Sequence, residues 1–588
     1  MSNIGRSRQL LITATLLAAQ TGCDRAQVAA ETSVKDPDTA ATLRQSHITL
    51  ALVIDQFPLW EAIERIPELP PGGGLSRLAK EANATAELRF GYVQTSTAMG
   101  HSALFTGLTP HASHITSNEI LRQNGSAAAI VSDPETRLIG PEGVIERIGV
   151  SLAALAADRE TIADALRRQR PEVTIACISM KDRGAVFACG RSPDAVLWFD
   201  VERDAFVTST AFADSFPPML ASFGEPGMGA SYRRVPWQPS DESWLKAHSR
   251  TPAPDLGQGD FEGLGAAFPH DFAKTRHPAR AMLASPMADE LLTDLALTVL
   301  DSLADDRDAF VAISFSAHDY VSHVFGPASP EAWDELLRLD EQIGRLYARL
   351  DELYSPSGYS IVLSGDHGGP PAPEGPRGEW CNTEGLDRFE RPCQPAIRLL
   401  DADLTKRARE VAAETLGHGA WILGTSEPFV VFTEAAKALP TARLDRLVTA
   451  EIEALRRLNG VAQVVDTRGT GARECPDESD DSMPALVCRS LAGDAHGSLL
   501  VVPARGAFFD SGYVEGDGCN HGTPYLFDRT VPLFVRAPLS PRSTTRHEPP
   551  LAFDAANRVD QRAYARTLAA FLEIEPISNG LGADLSGR

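Results

Sequence analysis

A chain of 588 residues, 43% apolar and 23% charged, is long enough for one large core with insertions and has the composition of an ordinary globular protein. A formal net charge of -24 argues against a nucleic-acid binder or a protein drawn to anionic membrane, either of which would need basic surface. It does not exclude an anionic substrate, because a bound metal and one or two cationic side chains set the field at close range.

At the amino terminus, Arg6, Ser7 and Arg8 precede an apolar run at 10–19 that is too short to span a bilayer, so residues 1–23 read as an export signal. Cys23, after Gln20-Thr21-Gly22, resembles a bacterial lipoprotein cleavage site, which would make it a lipid anchor to a membrane. Val28-Ala29-Ala30 is a rival site for ordinary signal peptidase, and either route predicts a periplasmic or membrane-anchored protein. Residues 24–46, polar and rich in Ala and Thr, read as a tether to a folded domain at 47–588. In an oxidising compartment six further cysteines fall into sequence-local pairs, Cys177 with Cys189, Cys381 with Cys393 and Cys475 with Cys488, leaving Cys519 as a buried free thiol.

Near-continuous apolar runs, the pattern of strands buried on both faces, fall at 48–54, 173–179, 309–314, 360–364 and 531–535. Helical periodicity covers 161–168, 288–303 and 331–353, the last with Leu336, Leu339, Ile343, Leu346 and Leu350 on one face. This alternation predicts an α/β fold, a mostly parallel central sheet flanked by helices, with ligands bound outside the carboxyl ends of the strands. Two stretches interrupt it. Residues 205–285, rich in Pro, Gly and Trp, read as a long irregular insert. Residues 395–495 predict helix (404–416), strand (428–432), helix (442–458) and strand (461–465), enough for a small inserted α/β subdomain. A helix at 561–572 closes the pattern.

Chemistry-bearing residues gather at the predicted strand ends. Asp55 ends the first strand. Thr97, within Thr95-Ser96-Thr97-Ala98-Met99-Gly100-His101, precedes a helical segment whose amino terminus favours a developing anion. Its hydroxyl is a poor nucleophile at neutral pH and needs a base or a metal. Asp319 and His323 are spaced to share a metal from one helical turn, Asp366 and His367 follow the strand at 360–364, and His521 precedes the strand at 531–535. Asp and His are ligand types for zinc. One Asp-His pair alone is better read as a hydrogen-bonded loop, but several such motifs with a threonine are not. His101, His318 and Ser96 read as packing or hydrogen-bonding residues. His496-Gly497-Ser498, which runs straight into an apolar stretch at 499–502, is set aside in favour of His521.

In this order the motifs resemble the alkaline phosphatase superfamily over nearly the whole chain from residue 48. The resemblance implies an alkaline-phosphatase-like catalytic domain holding two Zn2+ ions, with Asp319, His323 and His521 on one and Asp55, Thr97, Asp366 and His367 on the other. Met180-Lys181-Asp182-Arg183-Gly184 would by itself be a solvated charged turn. Here it is similar to the phosphate-irrepressible alkaline phosphatases with a threonine nucleophile, in which Lys181 and Arg183 would contact phosphoryl oxygens and Asn118 would donate a hydrogen bond. The related nucleotide pyrophosphatase/phosphodiesterase branch shares the threonine, the asparagine and the metal ligands but lacks that Lys/Arg pair. Met99 stands where the phosphatase pattern often has proline, and Ser322 where it often has glycine; neither change removes a ligand. The expected substrate is a small-molecule phosphate monoester, cleaved through a phosphothreonine intermediate. The alternatives are a phosphodiesterase on the same core and a non-catalytic metal-binding lipoprotein.

Overall fold

The computed structural model describes residues 44, 46–249, 258–304, 306–371, 387–391, 397–469, 474–492, 498–510, 518–539, 553, 557–575, 577 and 585. The export signal with Cys23, nearly all of the tether, the Cys381–Cys393 pair and His496 lie outside the described residues.

Eleven strands form the central sheet. In chain order they are β1 (Ile48–Ile54), β2 (Ala84–Arg89), β3 (Ser132–Gly140), β4 (Gly143–Val150), β5 (Thr174–Ser179) and β6 (Ala195–Asp200), followed by β7 (Ala205–Ser209), β8 (Ala309–Phe315), β9 (Tyr359–Gly365), β10 (Thr530–Arg536) and β11 (Arg558–Asp560). Their spatial order is β11-β2-β10-β9-β1-β8-β5-β6-β7-β3-β4. The middle, β9-β1-β8-β5-β6, is parallel, and β1 and β8 are buried along their whole length, in keeping with their near-continuous apolar sequences. Antiparallel pairs appear on both sides of the middle: β7, β3 and β4 follow short hairpin links, from β6 to β7 and from β3 to β4, that cannot join parallel strands, and on the other side β10 runs antiparallel to β9 and β2, while β11 pairs parallel with β2.

Four helices matter for the site: α1 (Thr97–Thr106), α2 (Asp182–Cys189), α3 (Ala317–Phe325) and α4 (Pro330–Leu353). In α4 the five leucine and isoleucine residues of the predicted stripe are all buried. Ala205–Ser209 is fully buried and belongs to the central sheet, so the irregular stretch of short helices begins only after it. Beyond β9 a separate antiparallel sheet runs in the order 422–426, 429–432, 499–503 and 461–466. Helices Asp401–Leu416 and Thr441–Leu455 share its own apolar core. Cys177 bonds Cys189 and Cys475 bonds Cys488, while Cys519 is free and buried. Among the described residues no helix is long and apolar enough to cross a membrane.

Candidate metal centre

Register brings the site together. Ile54 pairs with Phe315 on one side and Gly365 on the other, so β1, β8 and β9 end level with one another. Asp55 and Asp366 are the next residues of their strands, and α3 starts two residues beyond β8. Two groups that could each hold a metal ion result, Asp55 with Asp366 and His367, and Asp319 with His323 and His521. Within each group the ligand atoms lie within 4.8 Å of one another, and all six residues are buried. Asp319 and His323 sit one turn apart on α3, with His323 Nε2 3.1 Å and His521 Nε2 3.5 Å from Asp319 Oδ1.

Thr97 is the first residue of α1 and 1% exposed. Its Oγ1 lies 3.5 Å from Asp55 Oδ1 and 3.3 Å from Lys181 Nζ, which sets it against the Asp55 group. Ser96, the N-cap residue, makes no side-chain cap. Asn118 Oδ1 does so instead, accepting from Ala98 N at 2.9 Å, and this leaves its Nδ2 as the donor available to the cavity that Asn118 lines. Gly100 lets the helix press on that same Asp55 group: a Cβ there would stand 2.0 Å from the Asp366 carbonyl oxygen.

Lys181 lies between the groups, 2.7 Å from Asp55 Oδ2 and 2.5 Å from Asp319 Oδ2. Burial pulls its ammonium pKa down, but the facing Asp319 and Asp55 outweigh that and leave it above the ordinary lysine value. Burial likewise raises Asp55, and Lys181 overcomes it, bringing the carboxyl to about 2. Asp319 is held well below the ordinary range by His323 and Lys181 against the effect of its burial. Arg183, in the first turn of α2, lines the same cavity.

The donor set fits divalent cations. His323 Nδ1 is 2.8 Å from Cys519 O, His521 Nδ1 is 2.7 Å from Thr95 O and His367 Nδ1 is 2.9 Å from Gly368 O. Carbonyls only accept, so each Nδ1 carries the proton and each Nε2 is turned toward a carboxylate, the arrangement by which second-shell carbonyls orient metal-binding imidazoles. Asp319 Oδ1, Asp366 Oδ2 and His367 Nε2 are buried without a hydrogen-bond partner. Two buried carboxylates, Asp55 and Asp319, share one ammonium, and a third, Asp366, is buried in the group of Asp55, an imbalance that cations would remove.

Two features were not legible in the sequence. Gln56 takes a left-handed φ of 57°, which turns the chain after β1 and aims its N–H at Asp366 Oδ1, 3.1 Å away. A glutamine carries no signal for that conformation. The cavity above Thr97, about 510 Å³, is also walled by residues far apart in the chain, among them Leu121, Arg280, Tyr320, Asp401, Glu427 and Phe509.

Residues 49–414, well over half of the chain, match the family described as type I phosphodiesterase / nucleotide pyrophosphatase. The chain is 24% identical over 560 residues to a protein of Myroides odoratus named calcium-transporting ATPase, covering 92% of this chain and 94% of that one. It is 25% identical over 553 residues to the alkaline phosphatase PhoV of Synechococcus elongatus, covering 92% of each. The crystal structure of wild-type alkaline phosphatase PafA superposes with a TM-score of 0.74 at 20% identity, over 93% of this chain and 99% of that one, which shows a shared fold. The matched span carries Asp55, Thr97, Asn118, Lys181, Arg183, Asp319, His323, Asp366 and His367, with the geometry described above, and the chain belongs to the type I phosphodiesterase / nucleotide pyrophosphatase family.

Proposed function

We propose that this protein is an exported two-zinc phosphomonoesterase that hydrolyses small-molecule phosphate esters through a phosphothreonine intermediate. The observation that carries the reading is Lys181, whose ammonium lies within reach of Thr97 Oγ1 and both ligand groups, with Arg183 two residues on at the same cavity. A solved variant of PafA has a threonine, an asparagine, a lysine and an arginine replaced, spaced 21, 62 and 2 residues apart. Thr97, Asn118, Lys181 and Arg183 follow in the same order, 21, 63 and 2 apart.

Asp319, His323 and His521 would hold one zinc, and Asp55, Thr97, Asp366 and His367 the other. When bound, two such cations lower the pKa of a coordinated hydroxyl and stabilise the attacking and leaving oxygens of an in-line displacement. Thr97 Oγ1 bonds to phosphorus as the bond to the leaving oxygen breaks, and the hydroxyl proton passes by way of solvent to that oxygen, which departs as the alcohol. Water then attacks the phosphothreonine in a second displacement, releasing phosphate and restoring the hydroxyl. Asn118 holds the first turn of the nucleophile's helix through Ala98 N–H and offers Nδ2 to a phosphoryl oxygen. Lys181 and Arg183 balance the second charge that a monoester carries and a diester lacks. The carbonyls of Cys519, Thr95 and Gly368 fix the imidazole orientations before substrate arrives.

The family description favours a second reading, a phosphodiesterase on the same core. Arg183→Ala separates the two more cleanly than Lys181→Ala, since Lys181 also offsets the charge of Asp55 and Asp319. Loss of one charge-assisted hydrogen bond of about 1.5–3 kcal/mol lowers monoester kcat/KM about ten- to a hundredfold. On an aryl phosphate monoester and the matching diester, the expected result is that drop for the monoester and little change for the diester. Equal losses on both, or an undiminished monoester rate, would assign the protein to the diesterase reading.

A further inference from the structure

We infer that His101 is a positioning residue: with its Nδ1–H on the Thr97 carbonyl and its ring edge against the carboxylate of Asp366, it holds the first turn of the nucleophile's helix beside that carboxylate. The inference rests on the reading that Asp55, Asp366 and His367 hold a metal. His101 lies on α1 one turn beyond Thr97 and is 0% exposed. Its Nδ1 is 3.0 Å from Thr97 O and 3.0 Å from Asp366 Oδ2. Both oxygens can only accept, so that nitrogen carries a hydrogen, which points at the Thr97 carbonyl while its positive end also faces the carboxylate. The other ring nitrogen, Nε2, is 2.8 Å from Ser314 Oγ.

Ser314 anchors the ring to the middle of the sheet. It lies in β8, paired in register with Val53 of β1 and Ser179 of β5. Ser179 Oγ in turn accepts from Lys181 N at 3.1 Å. The imidazole thus stands where the nucleophile's helix, the Asp366 carboxylate and the strand leading toward Asp319 come together. Gly100 beside it permits the backbone contact between α1 and Asp366 that brings the ring within range. With Nε2 anchored, the ring cannot rotate away, and Asp366 keeps one oxygen facing it. A ligand carboxylate restrained in this way has less freedom to lose on binding a cation, and partners of this kind are worth about 10- to 100-fold in metal affinity or activity.

His101→Asn and His101→Gln give the test, because the asparagine amide reaches the place of Nδ1 and the glutamine amide the place of Nε2. Each protein is loaded with zinc, dialysed against a chelator and assayed for bound zinc per chain and for kcat and KM on an aryl phosphate. The expected result is that wild type and His101→Asn retain two zinc ions. His101→Gln should retain about one, with kcat about 10- to 100-fold lower and KM little changed. Equal zinc retention and equal kcat for the two variants, whether both high or both low, would overturn the inference. Wild-type protein that takes up no zinc would instead refute the metal reading on which it rests.

Discussion

The central sheet and the smaller sheet at 422–503 border one cavity and contribute to it in opposite ways. From the central sheet come the ionisable groups. Asp55 and Asp366 directly follow parallel strands, and Thr97, Lys181, Arg183 and Asp319 stand at or beside the first turns of helices. Their charges oppose one another at hydrogen-bonding distance, as where Lys181 meets Asp55 and Asp319. From the smaller sheet come wall residues, Thr425, Ser426 and Glu427. Its buried charge, Glu451 on helix Thr441–Leu455, has no hydrogen-bond partner on either oxygen, and burial pushes its carboxyl up to about 8. Burial of a carboxylate therefore does not by itself mark chemistry. What marks it is several buried carboxylates and imidazoles converging on one place, whereas a lone buried acid makes stability depend on pH.

Substitutions in the central region should strike turnover, and those in the smaller sheet should strike stability alone. The largest effect belongs to Thr97→Ala, which removes the hydroxyl proposed as nucleophile: both monoester and diester rates should fall on the order of a thousandfold or more. A variant that kept either activity would break the contrast at its strongest point. Metal removal comes next. Dialysis against a strong chelator should abolish activity, zinc should restore it, and elemental analysis should find about two ions per chain. Full activity in metal-free protein would dissociate the two ligand groups from catalysis.

Glu451→Gln should have the smallest effect and sharpens the comparison from the other side. Because the folded carboxyl titrates at about 8, above its ordinary value of 4.5, the native state holds the proton more tightly than the unfolded chain. Its contribution is fully present below the unfolded pKa and is lost as pH rises through about 8. Glu451→Gln should thus leave Tm unchanged near pH 4 and raise stability by about 1–3 kcal/mol at pH 9, with kcat unaffected at either pH. A change in kcat without one in alkaline Tm would place Glu451 in the chemistry instead.

The sequence by itself determined the strands β1, β5, β8, β9 and β10, because a strand buried on both faces, whether parallel or antiparallel, is mostly apolar and leaves a near-continuous run. It also located Thr97 at a helix start and put Asp319 and His323 one turn apart, since both are matters of local spacing. The Cys177–Cys189 and Cys475–Cys488 bonds were legible for the same reason. Tertiary structure alone decided what those local features meet. The register of Ile54 between Phe315 and Gly365 brings Asp55 beside Asp366, and no pattern within one segment encodes the alignment of another. The antiparallel flanks, the left-handed turn at Gln56 and the reach of Lys181 to both ligand groups belong to the same class. So does the bond from Asn118 to Ala98, formed across 20 residues by a side chain whose own neighbourhood gives no hint of a helix to cap. Periodicity reports whether a residue is buried, but partners are chosen by packing between segments distant in the chain, and it is packing that gathered these carboxylates and imidazoles into two buried groups.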